Sequence, residues 1–329
     1  MKTYAHVERL TYRCLVYAWG DTKDLRMITI NGGVYEVTNS LHIALRRLRE
    51  RGINGLLWID ALCIDQSNEA EKTTQVSLMG DTFSAAVMVL MWLGTPRTGF
   101  SDGGVLGADK VAFNAVPILH ALAGGVHVHE LPCFPSRSQR QQLGVCRDRD
   151  ASEDWSRVFQ SRRAWMSSSW FTRTWTIQEV TKARRAVFLF GSRQISWDIM
   201  ASAWRHFAQH MQSCCSESVY RLAGTKSRTL SALAVPMIDL WNLKRSLKHE
   251  QDIVDVLIQC NAKAASDPPD KVFALLALQA GPGMVKMVPD YRMSLQDTFV
   301  AFARSLNATR GILVTLGLDL EQRVVHLSS

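Results

Sequence analysis

The sequence predicts an α/β fold in which helices flank a central parallel sheet, followed by a helical C-terminal part. Apolar segments typical of buried strands recur in the first 195 residues, and helical patterns separate the first three. This alternation favours a parallel sheet with right-handed crossovers. Residues 95–160 interrupt the pattern with Gly, Ser, Pro and charge. We therefore predict a core over 1–195 with an insertion at about 95–160, and a mostly helical part over 196–329 packed on the core.

The first elements are a strand and a hairpin. Residues 13–20 form an apolar run that ends in Gly-Asp, which predicts a buried strand and a turn. Residues 26–37 alternate on both sides of an Asn-Gly-Gly turn, which predicts a β-hairpin. A helix with apolar residues at i, i+3, i+4 and i+7 follows, capped by Asn39 or Ser40 and ended by Gly52.

The second and third strands enclose a polar loop and a helix. Residues 56–60 predict a short buried strand, and residues 61–66 a loop that carries a thiol and a carboxylate. Asn68 with Glu71 three residues later resembles a capping box. The unbroken apolar run at 87–93 is typical of a central parallel strand that is covered on both faces.

Beyond the third strand the pattern becomes irregular and then helical. Within the insertion, 111–123 predicts partial helix and 134–152 a mobile segment. The apolar run at 186–190 predicts the fourth strand, and 197–260 reads as mostly helical. Further helices are predicted at 271–278 and from Ser294 onward.

The segment Trp170–Glu179 concentrates large aromatic residues next to a carboxylate. As a continuous helix it would place Phe171, Trp175 and Glu179 on one stripe. An anionic carboxylate is costly to bury, so Glu179 either forms a structural ion pair or faces a cleft with a raised proton affinity. Periodicity alone slightly favours the ion pair. The candidate partners are Arg173 and Lys182.

Polar residues also follow the predicted strands, where ligands of parallel sheets bind. Asp60, at the end of the second strand, is either a site carboxylate or a brace for its loop. Cys63 could act as a nucleophile with a nearby base, yet no His is close in sequence, and a buried structural cysteine is favoured. The other strand-end candidates are Trp19, Asp21, Asp65 and Gln66.

Composition narrows the function classes. The net charge of +8 is spread along the chain without a nucleic-acid reading motif, so nucleic acid is not an expected partner. Seven Cys without CxxC spacing favour free thiols and a cytoplasmic protein, and no apolar run is long enough to span a membrane. We expect no metal, since no cluster shows ligand spacing, and we interpret His206 and His210 as surface or core residues. Neither glycine-rich phosphate motif is present.

Several motifs in order resemble the fungal heterokaryon incompatibility (HET) domain. CLVYAWGD is similar to the family's A-L-S-Y-x-W-G, and LWIDALCIDQ to W-I-D-A-x-C-I-N-Q, with W-L-G downstream. WFTRTWTIQEV resembles W-F-x-R-x-W-x-x-Q-E, and DPPDKVFALLAL and PDYRMSLQDTF resemble the regions that follow. Two departures stand out: Val16 replaces the usual Ser, and Asp65 the usual Asn. A site that depends on the usual residues is expected to be altered.

The resemblance implies a fold like that of Toll/interleukin-1 receptor (TIR) domains, with a flavodoxin-like sheet. Catalytic TIR domains carry a W-x-x-x-E helix whose Glu supports cleavage of the nicotinamide–ribose bond of NAD, which implies Glu179 as the catalytic carboxylate. An oxocarbenium-like transition state is stabilised by such a group. The candidate catalytic residues are Glu179, Asp60 and Cys63, and the candidate substrate-binding residues are Trp19, Asp21, Trp58, Asp65, Gln66, Arg173 and Trp175.

Three functions remain open at this point. The resemblance implies non-self recognition and cell death, with NAD as substrate and no tightly bound cofactor. The second hypothesis is a self-associating, non-enzymatic module, a homo-oligomer with tryptophans as interface anchors. The third is an enzyme recruited to small-molecule chemistry of secondary metabolism, such as cyclisation or hydrolysis, with Cys63, Asp60 and Asp65 as the first residues to test.

Overall fold

The computed structural model describes residues 11–95, 108–131, 165–166, 168–223, 226–247, 253–278 and 285–310. Strands in this part of the chain build a five-stranded sheet of order β4-β1-β5-β6-β7 and a separate β2-β3 hairpin. The first four strands of the sheet are parallel, and β7 runs antiparallel to β6. The predicted, mostly parallel central sheet is confirmed. In chain order the strands are β1 (Tyr12–Tyr17), β2 (Leu25–Ile30), β3 (Gly33–Thr38), β4 (Leu56–Trp58), β5 (Met88–Trp92), β6 (Ala186–Phe190) and β7 (Arg193–Ser196).

Helices occupy most of the remaining described chain. Two short 3₁₀ helices lie at Val128–Glu130 and Ser169–Thr172. The helices between strands are α1 (Asn39–Glu50), α2 (Asp60–Cys63), α3 (Glu69–Ala85), α4 (Ala108–Ala123) and α5 (Thr176–Thr181). Those after β7 are α6 (Trp197–Gln212), α7 (Ser216–Ala223), α8 (Lys226–Ser246), α9 (Ile253–Cys260), α10 (Asp270–Leu276) and α11 (Leu295–Arg310).

The two faces of the sheet are covered unequally. Along β1, Leu15 and Tyr17 enter a smaller apolar cluster beneath α1 and the hairpin. Cys14 and Val16 enter a larger cluster that includes side chains of α3, α5, α6, α8 and α10. This alternation follows from the two-residue period of a strand. Residues from both sides of position 195 share the larger cluster.

The strand order creates a crevice at one edge of the sheet. β1 pairs with β4 on one side and with β5 on the other, so that Cys14 aligns with both Trp58 and Val89. The chain runs from β1 to β4 on one side and then from β4 to β5 on the other side of β1. Such a switch point leaves room for ligands beyond the carboxyl ends of the strands. The residues that follow β1 and β4 meet at this edge.

The prediction of one continuous helix over Trp170–Glu179 is wrong. The segment forms a 3₁₀ helix, then an extended residue at Arg173 (φ −74°, ψ 142°), and then α5. The Ala264 backbone pairs with this break, accepting from the Thr174 N–H at 2.8 Å and donating to the Thr172 carbonyl at 2.6 Å. Phe171, Trp175 and Glu179 therefore do not form one helical stripe.

Smaller differences from the predictions concern element ends. The second strand stops at Trp58, and its expected loop contains the single turn α2. Thr38, one residue before the predicted candidates, caps α1 through its hydroxyl. Asn68 caps α3 as predicted, but the Glu71 carboxylate accepts from the Asp65 N–H at 3.0 Å rather than from Asn68. β7 was not predicted.

Within the insertion, helix is confirmed at α4, which the 3₁₀ helix Val128–Glu130 follows. The segment predicted to be mobile, 134–152, lies outside the described residues. The helical character of 197–260 is confirmed in α6 to α9. Among the helices that the structure describes, none has both the length and the apolar character needed to cross a bilayer.

Candidate functional site

The carboxylate of Asp60 lies in the crevice beyond the ends of β1 and β4. Asp60 opens α2 directly after β4, and its carboxylate accepts from the Trp19 indole at 3.1 Å and from the Ala61 N–H at 2.8 Å. Trp19 follows β1, so this bond joins the ends of two neighbouring strands. Burial raises the pKa of Asp60, while the charge of Arg173 and these hydrogen bonds oppose the rise.

Arg173 brings a positive charge to the same edge. Its guanidinium donates to the Tyr17 carbonyl at the end of β1. The extended backbone at Arg173, fixed by Ala264, turns the side chain back toward the sheet. Its charge favours the ionised forms of both Asp60 and Glu179 and so opposes the rise that burial causes in their pKa values. The guanidinium thus acts on two carboxylates at once.

Glu179 is the inner carboxylate of this group, with only 3% of its surface exposed. Its Oε2 accepts from the Trp170 indole at 2.6 Å. Burial raises the pKa of Glu179 to about 7, against the charge of Arg173 and the Trp170 bond, and the nearby Asp60 charge adds to the rise. Its direct partner is therefore Trp170. The sequence had offered Arg173 or Lys182 as ion-pair partners, and Lys182 interacts instead with Asp81.

Cys63 is exposed, contrary to the expectation of a buried structural cysteine. Its Sγ accepts weakly from the N–H of Ile59, the residue before α2, at 3.5 Å. In the described residues, the histidines that contact thiols lie elsewhere, at Cys214 and Cys215. Cys63 thus adjoins the carboxylates along the chain, but no imidazole is positioned to activate it in this part of the structure.

The remaining predicted residues divide between the crevice and other roles. Gln66 is exposed and its amide donates to the Asp60 carbonyl at 3.3 Å, so it borders the carboxylates. Trp58 packs edge-on against Phe83, with ring centroids 5.8 Å apart. Asp21 and Asp65 are exposed and close local turns, accepting from the N–H groups of residues 23 and 67.

Trp175 serves a second buried carboxylate that the sequence did not single out. Its indole donates to Asp270 Oδ2 at 2.9 Å, and the Tyr291 hydroxyl donates to Oδ1 at 2.5 Å. Asp270 is 8% exposed, and burial raises its pKa to about 6. A sequence signal for these residues was present, since Asp270 and Tyr291 belong to the two C-terminal motifs of the HET resemblance. Those motifs do not indicate which residues contact each other.

Lys263 connects the surroundings of Glu179 to the segment that precedes α10. Its Nζ donates to the Phe171 carbonyl at 2.6 Å, and its charge favours the ionised form of Glu179. The next residue, Ala264, forms the bridge to Arg173. The segment between α9 and α10 therefore holds the aromatic segment in the bent conformation that directs Arg173 and Glu179 toward the sheet edge.

The site thus contains two carboxylates with raised pKa values, one guanidinium and indole N–H donors at the end of parallel strands. Asp60, Trp19 and Arg173 are half-buried and form the outer part, while Glu179 and Trp170 lie inside. Such a group can hold ribose hydroxyls and stabilise a developing positive charge. Side chains able to hold a metal ion gather in a different place, at His127, His210, Cys214 and Cys215.

Comparisons with known proteins agree with the motif resemblance. The family model described as heterokaryon incompatibility protein (HET) matches residues 12–179. Heterokaryon incompatibility protein 6, OR allele, of Neurospora crassa is 26% identical over 328 residues, covering 90% of this chain and 47% of the relative. The chain therefore spans about half the length of this curated relative. No solved structure matches the chain.

Proposed function

Because the chain belongs to the heterokaryon incompatibility protein (HET) family, we propose that it acts in fungal non-self recognition by cleaving the glycosidic bond of NAD at the strand-end crevice. The N. crassa relative is named for heterokaryon incompatibility, which supports the biological role. The single observation that supports the chemistry is the meeting of Asp60, Arg173 and Glu179 beyond β1 and β4.

The finer fold assignment belongs to this proposal. The placement of β1 between β4 and β5, with parallel strands throughout that part of the sheet, is compatible with the TIR-like, flavodoxin-like arrangement. In that arrangement the one helical turn from Trp175 to Glu179 takes the place of the W-x-x-x-E helix. The Glu179 N–H donates to the Trp175 carbonyl at 3.2 Å, which supports helical geometry across this motif.

In the proposed reaction the bond between the ribose C1′ and the nicotinamide nitrogen breaks, and nicotinamide leaves with the bonding electrons. The ionised Glu179 stabilises the oxocarbenium-like centre, and Asp60 accepts hydrogen bonds from the ribose hydroxyls. The Trp19 ring supplies an apolar wall for the nicotinamide, and Arg173 counters the phosphate charge. Water adds at C1′, giving ADP-ribose, nicotinamide and one released proton.

The raised pKa of Glu179 determines the expected pH dependence. The carboxylate is the active form, and its pKa is raised to about 7. The rate of NAD loss should therefore increase as pH rises through about 7 and level off above it. A rate that declines over this range would be inconsistent with an ionised Glu179 in the rate-determining step.

The proposal is tested by incubating the purified chain with NAD and measuring nicotinamide by liquid chromatography. Glu179→Gln keeps an acceptor for the Trp170 indole but removes the charge, and we expect a rate loss of about 10²-fold or more. Glu50→Gln, a change at an exposed carboxylate of α1, is the matched control and should retain the wild-type rate. An inert wild-type chain, or an unaffected Glu179→Gln variant, would overturn the proposed chemistry.

A self-associating, non-enzymatic role is the second candidate, and the β2-β3 hairpin favours it. Met27 is 58% exposed and Val34 is 62% exposed, and both belong to the outer face of the hairpin. Exposed apolar patches often mark interaction surfaces. The tryptophans of the described residues are buried or half-buried, so they expose little surface with which to anchor such an interface. A chain that is inert toward NAD yet assembles would favour this role.

A further inference from the structure

Two histidines and two cysteines from distant positions converge outside the crevice. His127 precedes the 3₁₀ helix Val128–Glu130, and His210 lies in the last turn of α6. Cys214 and Cys215 occupy the turn between α6 and α7. One donor atom from each of the four lies within 4.8 Å of the others. The spacing of residues along the chain does not indicate this cluster, because His127 is more than 80 positions away from the other three residues.

Four of the six separations between the donor atoms are close to the edges of a tetrahedron around one zinc ion. The Sγ atoms of Cys214 and Cys215 are 3.6 Å apart. His127 Nδ1 lies 3.3 Å and 3.5 Å from those two sulfurs, and His210 Nδ1 lies 3.1 Å from the first. Zinc bonds of about 2.3 Å to sulfur and 2.0 Å to nitrogen require ligand separations of roughly 3.3–3.8 Å. Three of these distances fall within this range and the His210–Cys214 distance is slightly shorter, while the two remaining pairs, both involving His210, lie within 4.8 Å. The four donors are thus close enough together to coordinate one ion.

Neighbouring groups support sulfur and imidazole in that role. The backbone N–H groups of Val128 and His129 hydrogen-bond to Cys215, which fixes the position of its sulfur. A hydrogen bond between His210 and the Gly125 backbone orients that ring. Metal sites commonly use such contacts to fix their ligands. His129 Nδ1 lies 3.3 Å from the Cys215 Sγ and adds a further nitrogen beside the four.

We infer that His127, His210, Cys214 and Cys215 form a structural zinc site that fastens the chain after α4 to the turn between α6 and α7. Two thiolates and two imidazoles are a donor set that Zn²⁺ prefers. Four protein ligands fill its coordination sphere, so the site is structural rather than catalytic. His127 and His210 are half-buried and Cys214 is exposed, which leaves a path for the ion to enter.

The competing interpretation is a disulfide between the adjacent cysteines. Both thiols are free in the structure, and their 3.6 Å separation far exceeds a covalent bond of about 2.05 Å. The histidines would also have no role in a disulfide. The positions of His127 and His210 around the sulfur pair therefore favour metal coordination.

The test measures zinc in the full chain, purified under reducing conditions, by mass spectrometry of the metal. We expect about one zinc per wild-type chain and roughly a tenfold or greater loss in the Cys214→Ser/Cys215→Ser and His127→Gln variants. The matched controls remove side chains of the same types at positions outside the cluster. Cys63→Ser removes another exposed thiol and His120→Gln an exposed imidazole of α4, and both should keep the metal.

A wild-type measurement keeps the test independent of how the variants fold. Loading the metal-free chain with Co²⁺ should give the intense visible bands of tetrahedral cobalt and the near-ultraviolet sulfur-to-cobalt charge-transfer band. Adding Zn²⁺ should raise the melting temperature by roughly 5 °C. A reduced wild-type chain that binds neither metal, a cobalt spectrum without the sulfur band, or a Cys214–Cys215 disulfide in the purified protein would overturn the assignment.

Discussion

The carboxylate of Glu179 combines deep burial with one short hydrogen bond and a positive charge nearby. The Trp170 indole and the Arg173 charge stabilise its anion, yet burial outweighs both and raises its pKa. The protonated form is therefore favoured in the folded chain below about pH 7. The change between the neutral and the ionised form of Glu179 therefore falls close to neutral pH, and strongly shifted pKa values of this kind are concentrated at functional sites.

The pKa shift predicts how stability depends on pH. The pKa of Glu179 rises from 4.5 to about 7 on folding, so the folded chain binds a proton more tightly than the unfolded chain between those values. This contribution to the free energy of unfolding is present below pH 4.5 and is lost as pH rises through about 7, to an extent of about 3 kcal/mol. Glu179→Gln should lack this loss.

Urea unfolding of wild type and Glu179→Gln at about pH 5 and about pH 8 measures the difference. Groups that do not interact with Glu179, such as Asp270, contribute equally to both proteins and cancel in the comparison. We expect the variant to gain stability relative to wild type at the higher pH. Equal pH slopes for the two proteins would show that Glu179 is already ionised in the folded chain.

Sequence reasoning predicted several residues that lie near the ends of the strands, but not their partners. Trp19, Asp60, Arg173 and Glu179 do meet, because all four follow or face the ends of parallel strands. The partner of Glu179 could not be predicted, since Trp170 reaches it only after the chain bends at Arg173. The exposure of Cys63 likewise depends on the single helical turn α2, where the sequence had predicted a loop.

At the scale of elements, the threonines explain why the aromatic segment does not form one helix. Thr172, Thr174 and Thr176 each donate a hydroxyl to a backbone carbonyl, at Ser169, Ala264 and Arg173 respectively. Such side-chain bonds compete with the helical ladder, and β-branched residues disfavour a helix. The spacing of apolar residues predicted a continuous helix because it carries no information about this competition.

The bent segment is anchored to α10 by Asp270. Removing this carboxylate in Asp270→Ala would leave the N–H of the half-buried Trp175 and the hydroxyl of the half-buried Tyr291 without their acceptor. We expect the free energy of unfolding to fall by about 2–4 kcal/mol. Denaturant unfolding measures the loss. Asp198→Ala, at an exposed position in the first turn of α6, should change stability by less than about 0.5 kcal/mol. Similar small effects for both variants would contradict an anchoring role.

For the whole molecule, the sheet was predictable and the long-range clusters were not. Apolar runs at β1, β4, β5 and β6 identify strands locally, and right-handed crossovers then restrict how they can be arranged. The strand β7 is short and carries Arg193 and Gln194, so its sequence lacks an apolar signal. His127 and Cys215 meet only because the 3₁₀ helix after α4 packs beside α6 and α7, and no sequence spacing records that contact.

The exposed apolar side chains on the outer face of the β2-β3 hairpin predict that this face mediates assembly of the chain. Met27 and Val34 lie on neighbouring strands and expose most of their apolar surface, beside hairpin edges that have no partner strand in the described chain. Introducing like charges, as in Met27→Lys/Val34→Lys, should abolish any concentration-dependent association seen by sedimentation velocity, because two copies of a lysine-bearing face repel each other. The melting temperature should hardly change, since neither side chain packs in the core.

The matched control is Ile258→Lys, which places the same charge on another exposed aliphatic position, in α9. It should associate like wild type. If the double variant assembles as wild type does, the hairpin is not the interface. If it loses association but still consumes NAD, then catalysis at Glu179 does not require the assembled state, and the two candidate functions belong to separate surfaces of one chain.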